Sequence, residues 1–546
     1  MKRPTFLVAI IATCAGMLCA QQQPQFTPDM KLRYAERIIE NFYVDPVDST
    51  ASSKMVQDAI VAMLKNLDPH STYSDPDETR ELTTPLEGNF SGIGIQFNML
   101  NDTLFVIQTT PGGPCEKVGI LPGDRILTAN DTVISGLKRP NSDILRILRG
   151  PKGTRVDLTV MRRGEPAPLL FTVERDDIPV YSVDAAFMAS PGTGYVRITR
   201  FAQETDRELA EAISKLKKQG MKHLIIDLED NGGGYLGAAT SIADMFLPKG
   251  APIVYTESPR QGTNEFNAEH GALLTDGRVV VMVNQYSASA SEILSGAIQD
   301  NDRGLIVGRR TFGKGLVQRP FPFPDGSMIR LTVSRYHTPS GRCIQRPYEA
   351  GDNDEYNRDF LRRYEHGEYM NADSIHFDDS LRYETLHNHR TVYGGGGITP
   401  DLFVPVDTTG YSTYYRDLVA RGVINSYAIT YVDDNRSLLK KEYPTEQSFI
   451  DNFNVTPDMI DGLVELASSR DIQPDPEALE TSRHVISTII KGIIGRDLFE
   501  QSTYYRVTYP AINPVYRAAL DLINDENRYR RLLDGSKRSN TGAIIQ

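Results

Sequence analysis

The chain has 546 residues, of which 40% are hydrophobic, so it is long enough for several globular domains with ordinary cores. Its formal net charge is −12 and it has no basic stripe, which argues against nucleic acid as a partner. Four cysteines are too few for a disulfide scaffold, and no HExxH or CxxC motif is present. We therefore expect no metal and no other cofactor.

The first 20 residues have the parts of a secretory signal peptide. A positively charged start precedes an apolar run over residues 6–18, and a small-residue cleavage site ends at Ala20. We expect an exported protein of the periplasm or cell envelope, with a charge of −14 from 57 basic and 71 acidic residues after cleavage. The run is short for a membrane anchor. Lipidation of Cys19, which would give peripheral membrane association, is disfavoured by Leu18 before it.

Cleavage would leave only Cys115 and Cys343, which allow one disulfide or none.

Residues 21–87 form the predicted N-terminal helical segment, because apolar residues recur at helical spacing over 30–42 and 53–67. His70 follows these helices and could serve as a catalytic base. Its Asp-Pro-His-Ser context is more typical of a turn that ends a helix.

Residues 88–177 resemble a PDZ domain. Gly92, Ile93, Gly94 and Ile95 resemble the loop that binds a peptide carboxylate, residues 118–127 resemble the central turn and strand, and residues 144–148 resemble the groove helix. A single Gly-x-Gly is simply a tight turn, but here the three elements occur in order. The resemblance implies that free apolar C-termini of proteins or peptides bind by adding a strand, with Arg149 near the groove.

An α/β core is predicted to follow, in residues 178–406. Strands are expected at 195–198 and 224–228, helices at 205–219 and 238–246, and a glycine-rich turn at 231–234.

A serine-rich turn follows a third buried strand, 279–283. A helix with apolar spacing comes next, so the turn can present a nucleophile beside free helix N–H groups. The alternative is that Ser289 and Glu292 form a capping box without chemistry. Farther along, Lys314 lies between two glycines, where it is either a solvated cation or an amine folded inward.

These two motifs, S-A-S-A-S-E at 287–292 and T-F-G-K-G-L-V-Q at 311–318, resemble those of the C-terminal processing peptidases, also called tail-specific proteases. That family consists of serine proteases with a Ser-Lys dyad. The resemblance implies a crotonase/ClpP-like α/β protease core with an inserted PDZ domain. It also implies that Ser289 is the nucleophile, that Lys314 is its base and that Gln318 orients the lysine.

The resemblance further implies an oxyanion hole formed by the N–H groups of Gly233 and Ala290. Glu229 and Asp230 stand where the family has arginine and asparagine, and Gly232 stands where it has proline. The extra carboxylates could change subsite preference, but they remove no N–H donor.

The lysine must lose its proton to act as a base. Its pKa of ~10.4 in water must fall by roughly 3 units for it to be neutral near pH 7, and burial does this by penalising the ammonium. We therefore expect a dry pocket around Lys314.

An acidic, tyrosine-rich insertion occupies residues 347–392. Its four histidines could form a metal cluster, but solvated surface residues are the preferred interpretation; they are His366, His376, His387 and His389. Residues 407–546 are expected to be mainly helical, with helices at 414–423, 456–469, 476–494 and 513–523. Such helices could support a homodimer or shelter the active site.

Two other functions compete with the protease. One is a PDZ scaffold with an inactive core, which requires a solvated, protonated Lys314. The other is a crotonase-like hydratase or thioesterase, which the peptide-binding domain disfavours. A PDZ domain can also act as a latch that holds the site misaligned until a tail binds, and Arg149 is the expected contact for it.

Overall fold

The computed structural model describes residues 27–100 and 102–535. The chain divides into two compact units, one ending at Leu64 and the other beginning at Lys65. The predicted signal peptide, residues 1–20, lies outside the described residues. Within the described ranges, no helix is both long and apolar enough to cross a membrane.

The first unit contains two helices. They are α1 (Pro28–Phe42) and α2 (Ser49–Lys65), the second of which ends at the first residue of the second unit. Both confirm the helices predicted from apolar spacing. Helix α1 begins at a proline, and the missing N–H of this residue removes no hydrogen bond because the first N–H groups of a helix have no partner within it.

The second unit starts with β1 (Thr72–Ser74) and α3 (Pro76–Glu87), followed by a small antiparallel module. The elements of the module are β2 (Asn89–Gly92), β3 (Ile95–Leu100), β4 (Thr103–Thr109), α4 (Pro114–Lys117), β5 (Arg125–Ala129), β6 (Thr132–Val133), α5 (Asn141–Leu148), β7 (Arg155–Met161), β8 (Leu169–Glu174) and β9 (Asp176–Pro179). Its main sheet has the order β3-β4-β5-β7-β8, with β6 on β5, and β2 pairs separately with β9. Helix α5 packs Ile144 and Leu148 into the core of this module.

The larger α/β core follows the module. Its elements are β10 (Val183–Ser190), β11 (Thr193–Ile198), α6 (Thr205–Lys218), β12 (His223–Asp227), α7 (Leu236–Asp244), β13 (Pro252–Ser258), β14 (Gly262–Asn267), β15 (Val279–Val283), α8 (Ala290–Asp300), β16 (Leu305–Gly308), β17 (Leu316–Pro322), β18 (Met328–His337), α9 (Asn353–Glu365), β19 (Arg382–Glu384), β20 (Thr391–Tyr393) and β21 (Leu402–Phe403). Two short 3₁₀ turns, Ala372–Ser374 and Asp379–Leu381, lie between α9 and β19.

The central sheet positions the candidate site. Its order is β10-β11-β12-β15-β16-β21, and every neighbouring pair except β10 and β11 is parallel. Because parallel strands end at one edge of a sheet, the turns after β12, β15 and β16 meet there. A second, antiparallel sheet has the order β1-β18-β13-β14, with β17 on β18.

Helices cover both faces of the central sheet. Alternate residues of β15 divide between two cores, with Val281 packed in the core of α7 and α8 and Val280 packed in that of α16 (Pro514–Asn524). This alternation explains why β15 is an uninterrupted apolar run, since a strand covered on both sides has no solvent face.

The remaining C-terminal helices are α10 (Thr413–Ala420), α11 (Val423–Glu442), α12 (Glu446–Asn452), α13 (Pro457–Ser468), α14 (Pro476–Leu498), α15 (Gln501–Ile512) and α17 (Glu526–Leu533). Helices α10 to α14 share a core that also includes Phe105 of β4, so the small antiparallel module rests on this helical region.

The predicted fold class is confirmed: an α/β core contains an inserted antiparallel module and is followed by a mainly helical region. One expectation needed revision, because the helix expected at 414–423 ends at Ala420 before α11 begins. The insertion 347–392, for which no helix was predicted, contains α9. The four histidines of the insertion are exposed, as the surface interpretation predicts. Cys115 and Cys343 are free thiols.

Candidate active site

Ser289 lies in the turn between β15 and α8 in a backbone conformation that L-residues rarely adopt, with φ 57° and ψ −114°. Such strain persists only where the surrounding structure holds it, and it is frequent at functional sites. Helix α8 begins at the next residue, so the N–H groups of its first turn lie beside the serine.

The three serines of this turn have different environments. The Ser287 hydroxyl donates to the carbonyl of Leu228 over 2.7 Å, and the Ser291 hydroxyl donates to the carbonyl of Asn231 over 2.8 Å. Both are fully buried and fasten the turn to the loop after β12. Ser289, between them, is only half-buried, so it is the serine of the three that a substrate can reach.

The buried carboxylate of Glu292 joins the serine turn to the lysine loop. One oxygen accepts from the N–H groups of Ser289 (2.8 Å) and Lys314 (2.9 Å), and the other accepts from the Thr311 hydroxyl (2.5 Å) and the Gly313 N–H (2.7 Å). Burial raises the pKa of Glu292, and these hydrogen bonds act in the opposite direction. Glu292 therefore caps α8, as the capping-box alternative proposed, and also holds the two motifs together.

Lys314 has an environment suited to a base. Its Nζ donates to Oε1 of Gln318 over 2.8 Å. Burial, followed by the positive charge of Arg330, lowers the lysine pKa from 10.5 to about 8. Roughly a tenth of such amines are neutral at pH 7. The lysine is half-buried rather than enclosed in the dry pocket expected from the sequence. Within residues 27–100 and 102–535, no hydrogen bond joins this amine to the Ser289 hydroxyl.

A distant segment orients the amide of Gln318. Its Nε2 donates to the backbone carbonyl of His70, which leaves Oε1 facing Lys314. A neutral amide accepts from the amine without the electrostatic rise in pKa that a carboxylate would cause. Burial, and then the charge of Lys314, lowers the pKa of the His70 ring to about 3. The ring is therefore neutral near pH 7, and its Nε2 lies 2.8 Å from Oη of Tyr356.

The glycine-rich turn after β12 lies against the serine. Gly233 has φ 101°, and a Cβ there would lie 2.8 Å from Cβ of Ser289 and 3.0 Å from N of Ala290. A residue without a side chain is thus required for this close approach. The Gly233 N–H donates to Oδ1 of Asn231 over 2.9 Å in this structure. The predicted oxyanion donors are neighbours, and their role stays a prediction.

The two additional carboxylates of this loop have separate environments. Glu229 is buried and accepts from Nδ2 of Asn513 over 2.8 Å, so it is bonded to the C-terminal region. Burial, and then the charge of Asp227, raises the Glu229 pKa to about 7. Asp230 is exposed and accepts from Nδ2 of Asn284 over 2.8 Å.

The predicted carboxylate-binding loop, residues 92–95, connects β2 to β3. Gly94 has φ 73°, and the carbonyl of Ile93 accepts from the N–H of Cys115, so the loop is fixed from behind. Arg149 follows α5, and its guanidinium carbon lies 4.5 Å from the ring centre of Phe90. That contact lies within the module, and the latch role of Arg149 stays a prediction.

Some functional contacts were not predicted from the sequence. Asn231 and Glu292 lie inside the motifs, but their bridging contacts need tertiary structure. Tyr356 lies far from the motifs and was not identified, and His70 was considered only as a base, not as a partner of Gln318.

A strained serine at the N-terminus of a helix, with a lysine of lowered pKa nearby and an antiparallel module, is the arrangement of a serine-type peptidase. A model of Peptidase family S41 matches residues 192–351, and a PDZ domain model matches residues 91–184. Residues 414–500 match a family of unknown function, DUF8443.

Two relatives found by sequence agree with this class. The Carboxy-terminal-processing protease of Bartonella bacilliformis is 36% identical over 355 residues, which cover 63% of this chain and 80% of that protein. The Carboxy-terminal processing protease CtpA of Bacillus subtilis is 32% identical over 351 residues, 62% of this chain and 74% of that one. Among solved structures, the Photosystem II D1 C-terminal processing protease aligns over 58% of this chain and 84% of its own, with 30% identity and a TM-score of 0.33. The chain belongs to the carboxy-terminal processing proteases of Peptidase family S41.

Proposed function

We propose that the protein is an exported endopeptidase that captures C-terminal tails with its PDZ domain and cleaves them with a Ser289–Lys314 dyad. The observation that supports this most is the pair of contacts through which Glu292 holds the Ser289 turn and the Lys314 loop together. The alternative of an inactive scaffold requires a solvated, protonated lysine, whereas burial lowers the pKa of this one to about 8.

In the proposed mechanism, neutral Lys314 takes the proton of the Ser289 hydroxyl as its oxygen attacks the peptide carbonyl. The N–H groups of Ala290 and Gly233 hold the oxyanion, and the Gly233 N–H must leave Oδ1 of Asn231 to do so. The C–N bond then breaks, the lysine returns the proton to the leaving amine, and an acyl-enzyme remains. Water hydrolyses this ester with Lys314 again as the base.

The pH dependence follows from the form of the lysine that reacts. Only the neutral amine is a base, so cleavage rises as the pH rises through about 8 and levels off above that value.

Cleavage of an unfolded model protein with an apolar C-terminus tests the mechanism between pH 6 and 10. Ser289→Ala and Lys314→Ala should each abolish cleavage. The exposed Ser241→Ala and Lys222→Ala variants are matched controls that should cleave normally. Normal cleavage by Lys314→Ala would refute the dyad. If the wild-type chain cleaves none of the substrates offered, the alternative of a PDZ scaffold with an inactive core would be favoured.

The proposed role of the PDZ domain predicts selection for a free carboxylate. A peptide that ends in apolar residues should bind the whole chain, and its C-terminal amide should bind at least tenfold more weakly. Equal binding of the acid and the amide would remove this part of the proposal.

The proposed export predicts a processed chain. After expression in a bacterial host, the mass of the protein from the cell envelope should correspond to a start at Gln21. An intact chain confined to the cytoplasm would contradict export. A chain that carries a lipid on Cys19 would show attachment to a membrane instead of secretion.

A further inference from the structure

Helix α9 covers the loop that carries Lys314. The match to Peptidase family S41 ends at residue 351, and α9 spans Asn353–Glu365, beyond that match. Two side chains of this helix, Tyr356 and Arg363, are buried. The insertion therefore forms part of the surroundings of the lysine.

Arg363 holds the backbone of the lysine loop. Its Nη1 donates to the carbonyl of Thr311 over 3.1 Å, and its Nη2 donates to the carbonyl of Arg310 over 2.7 Å. The side chain is 3% exposed, and Nε also donates to Glu368 over 3.2 Å. A buried guanidinium has rigid donor geometry, so these bonds fix the chain a few residues before Lys314.

Arg346 joins the same loop to α9. Its guanidinium carbon lies 4.2 Å from the ring centre of Phe312 and 3.7 Å from that of Tyr356. It also forms an ion pair with Asp359 of α9 at 2.5 Å. The cation lies against an aromatic ring from each segment, which packs Phe312, two residues from Lys314, against the helix.

A chain of four contacting residues then reaches the lysine amine. Tyr356 Oη lies 2.8 Å from Nε2 of His70. The backbone carbonyl of His70 accepts a hydrogen bond from Nε2 of Gln318. Oε1 of Gln318 in turn accepts from Nζ of Lys314. The Tyr356 and His70 rings also meet edge to face, with centres 5.1 Å apart. We name Tyr356, His70, Gln318 and Lys314 the lysine-positioning chain.

We propose that α9 is a positioning element for the base: Tyr356, acting through His70 and Gln318, holds the Lys314 amine in the half-buried place from which it serves Ser289. This inference rests on the Ser-Lys mechanism proposed above. Tyr356 does not touch the reacting atoms, so its role is positioning.

Several charged groups also face the lysine-positioning chain. They are Glu292 of α8, Asp68 in the turn before β1, Arg330 of β18 and Arg346 before α9. The Tyr356→Phe substitution removes none of these charges and keeps the ring that packs on Arg346. A change in the lysine pKa in this variant would therefore report a shifted amide and greater water access.

The first experiment compares the full chain with Tyr356→Phe, His70→Ala and the double variant on a short peptide across pH 6 to 10. We expect Tyr356→Phe to lower kcat about tenfold, with KM within twofold and the rising pH limb displaced by about half a unit or more toward higher pH. The double variant should be no worse than the worse single variant, because both changes break one chain of contacts. Tyr364→Phe, on the same helix but 64% exposed, is the matched control.

The second experiment measures the lysine without requiring activity. In Ser289→Ala chains, the rate at which acetic anhydride labels Lys314 is followed against pH, with and without Tyr356→Phe. A higher Lys314 pKa in Tyr356→Phe supports the inference. An unchanged pKa with a uniform loss of kcat at every pH overturns it and leaves Tyr356 a merely structural role. Cleavage that survives Lys314→Ala would refute the proposed Ser-Lys mechanism instead. The labelling experiment would still show whether Tyr356 changes the pKa of Lys314, because it does not depend on cleavage.

Discussion

Ser289 and Lys314 are held by residues of different origin. The serine turn is fixed within the central sheet, since Ser287 and Ser291 anchor it to the loop after the adjacent strand β12 and Glu292 caps the helix that follows. The lysine amine is oriented through His70 and Tyr356, which are 286 residues apart in the chain.

This difference shows which half of the site depends on the whole fold. The strained backbone of the serine is held at one edge of the central sheet, by the helix after the turn and by the loop after β12. A lowered lysine pKa requires that distant segments exclude water together. We therefore expect distant substitutions to change the lysine while leaving the serine geometry intact.

Glu292 is the residue shared by the two halves, so Glu292→Gln should have the largest effect. An amide can accept with only one of its ends, and its NH₂ would face N–H donors that now bond the carboxylate. We expect kcat/KM to fall by at least about 100-fold and the free energy of unfolding by about 2 kcal/mol. Urea unfolding and peptide cleavage measure the two effects.

The control for this change is Glu211→Gln, whose carboxylate is exposed. A Glu292→Gln enzyme with more than half of the wild-type activity would show that the shared carboxylate is dispensable.

Gly233→Ala should damage the serine half alone. Its Cβ would lie 2.8 Å from Cβ of Ser289, at a φ of 101° that alanine rarely adopts. We expect kcat to fall by about 10- to 100-fold while the rising pH limb stays in place. Gly237→Ala, where the added Cβ meets nothing within 4 Å, is the control. A shift of the rising limb of the pH profile in Gly233→Ala would contradict the separation of the serine half from the lysine half.

Gln318→Glu should damage the lysine half alone. A carboxylate beside the amine favours the ammonium, so the lysine pKa should rise. The rising limb of the pH profile of cleavage should therefore move by about one unit toward higher pH. Cleavage should fall about tenfold at pH 7 and largely recover at pH 10. Gln219→Glu, at an exposed position, is the control. A loss that is equal at every pH would mean that Gln318 does not tune the lysine.

Asp433→Asn should have the smallest effect, because it lies outside both halves. Its carboxylate pairs with Arg125 of the PDZ domain at 2.5 Å, where the domain rests on the C-terminal helices. We expect unchanged cleavage of a short peptide and a KM for a tailed protein that changes by no more than about threefold. Asp434→Asn, at a more exposed pair, is the control. A changed pH profile with the short peptide would contradict this assignment.

Much of the serine half was predictable from the sequence because its signals are local. The apolar run at 279–283, the small residues after it and the helical spacing beyond them predicted the strand, turn and helix that the structure contains. The close approach of Gly233 to Ser289 follows from the order of the sheet, since the carboxyl ends of adjacent parallel strands meet.

The lysine half was predictable only in part. The resemblance identified Lys314 and Gln318, but His70, which binds Gln318, and Tyr356, which contacts His70, come from segments whose patterns indicate only a turn and an acidic insertion. Helix α9 was not predicted because its tyrosines and charges lack a clear apolar stripe, although Asp352 caps it. Helix α15 was also not predicted, since Pro510 and aromatic residues disfavour a helix that tertiary packing stabilises.

The most direct test of the account is the titration of the Lys314 amine in the intact chain, followed by competitive acetylation beside the exposed Lys222. The account predicts a pKa of about 8 for Lys314, lowered from 10.5, and a rising limb of kcat/KM at the same pH. A Lys314 amine that titrates at the ordinary lysine value of 10.5, in an enzyme that still cleaves its substrate at pH 7, would contradict it.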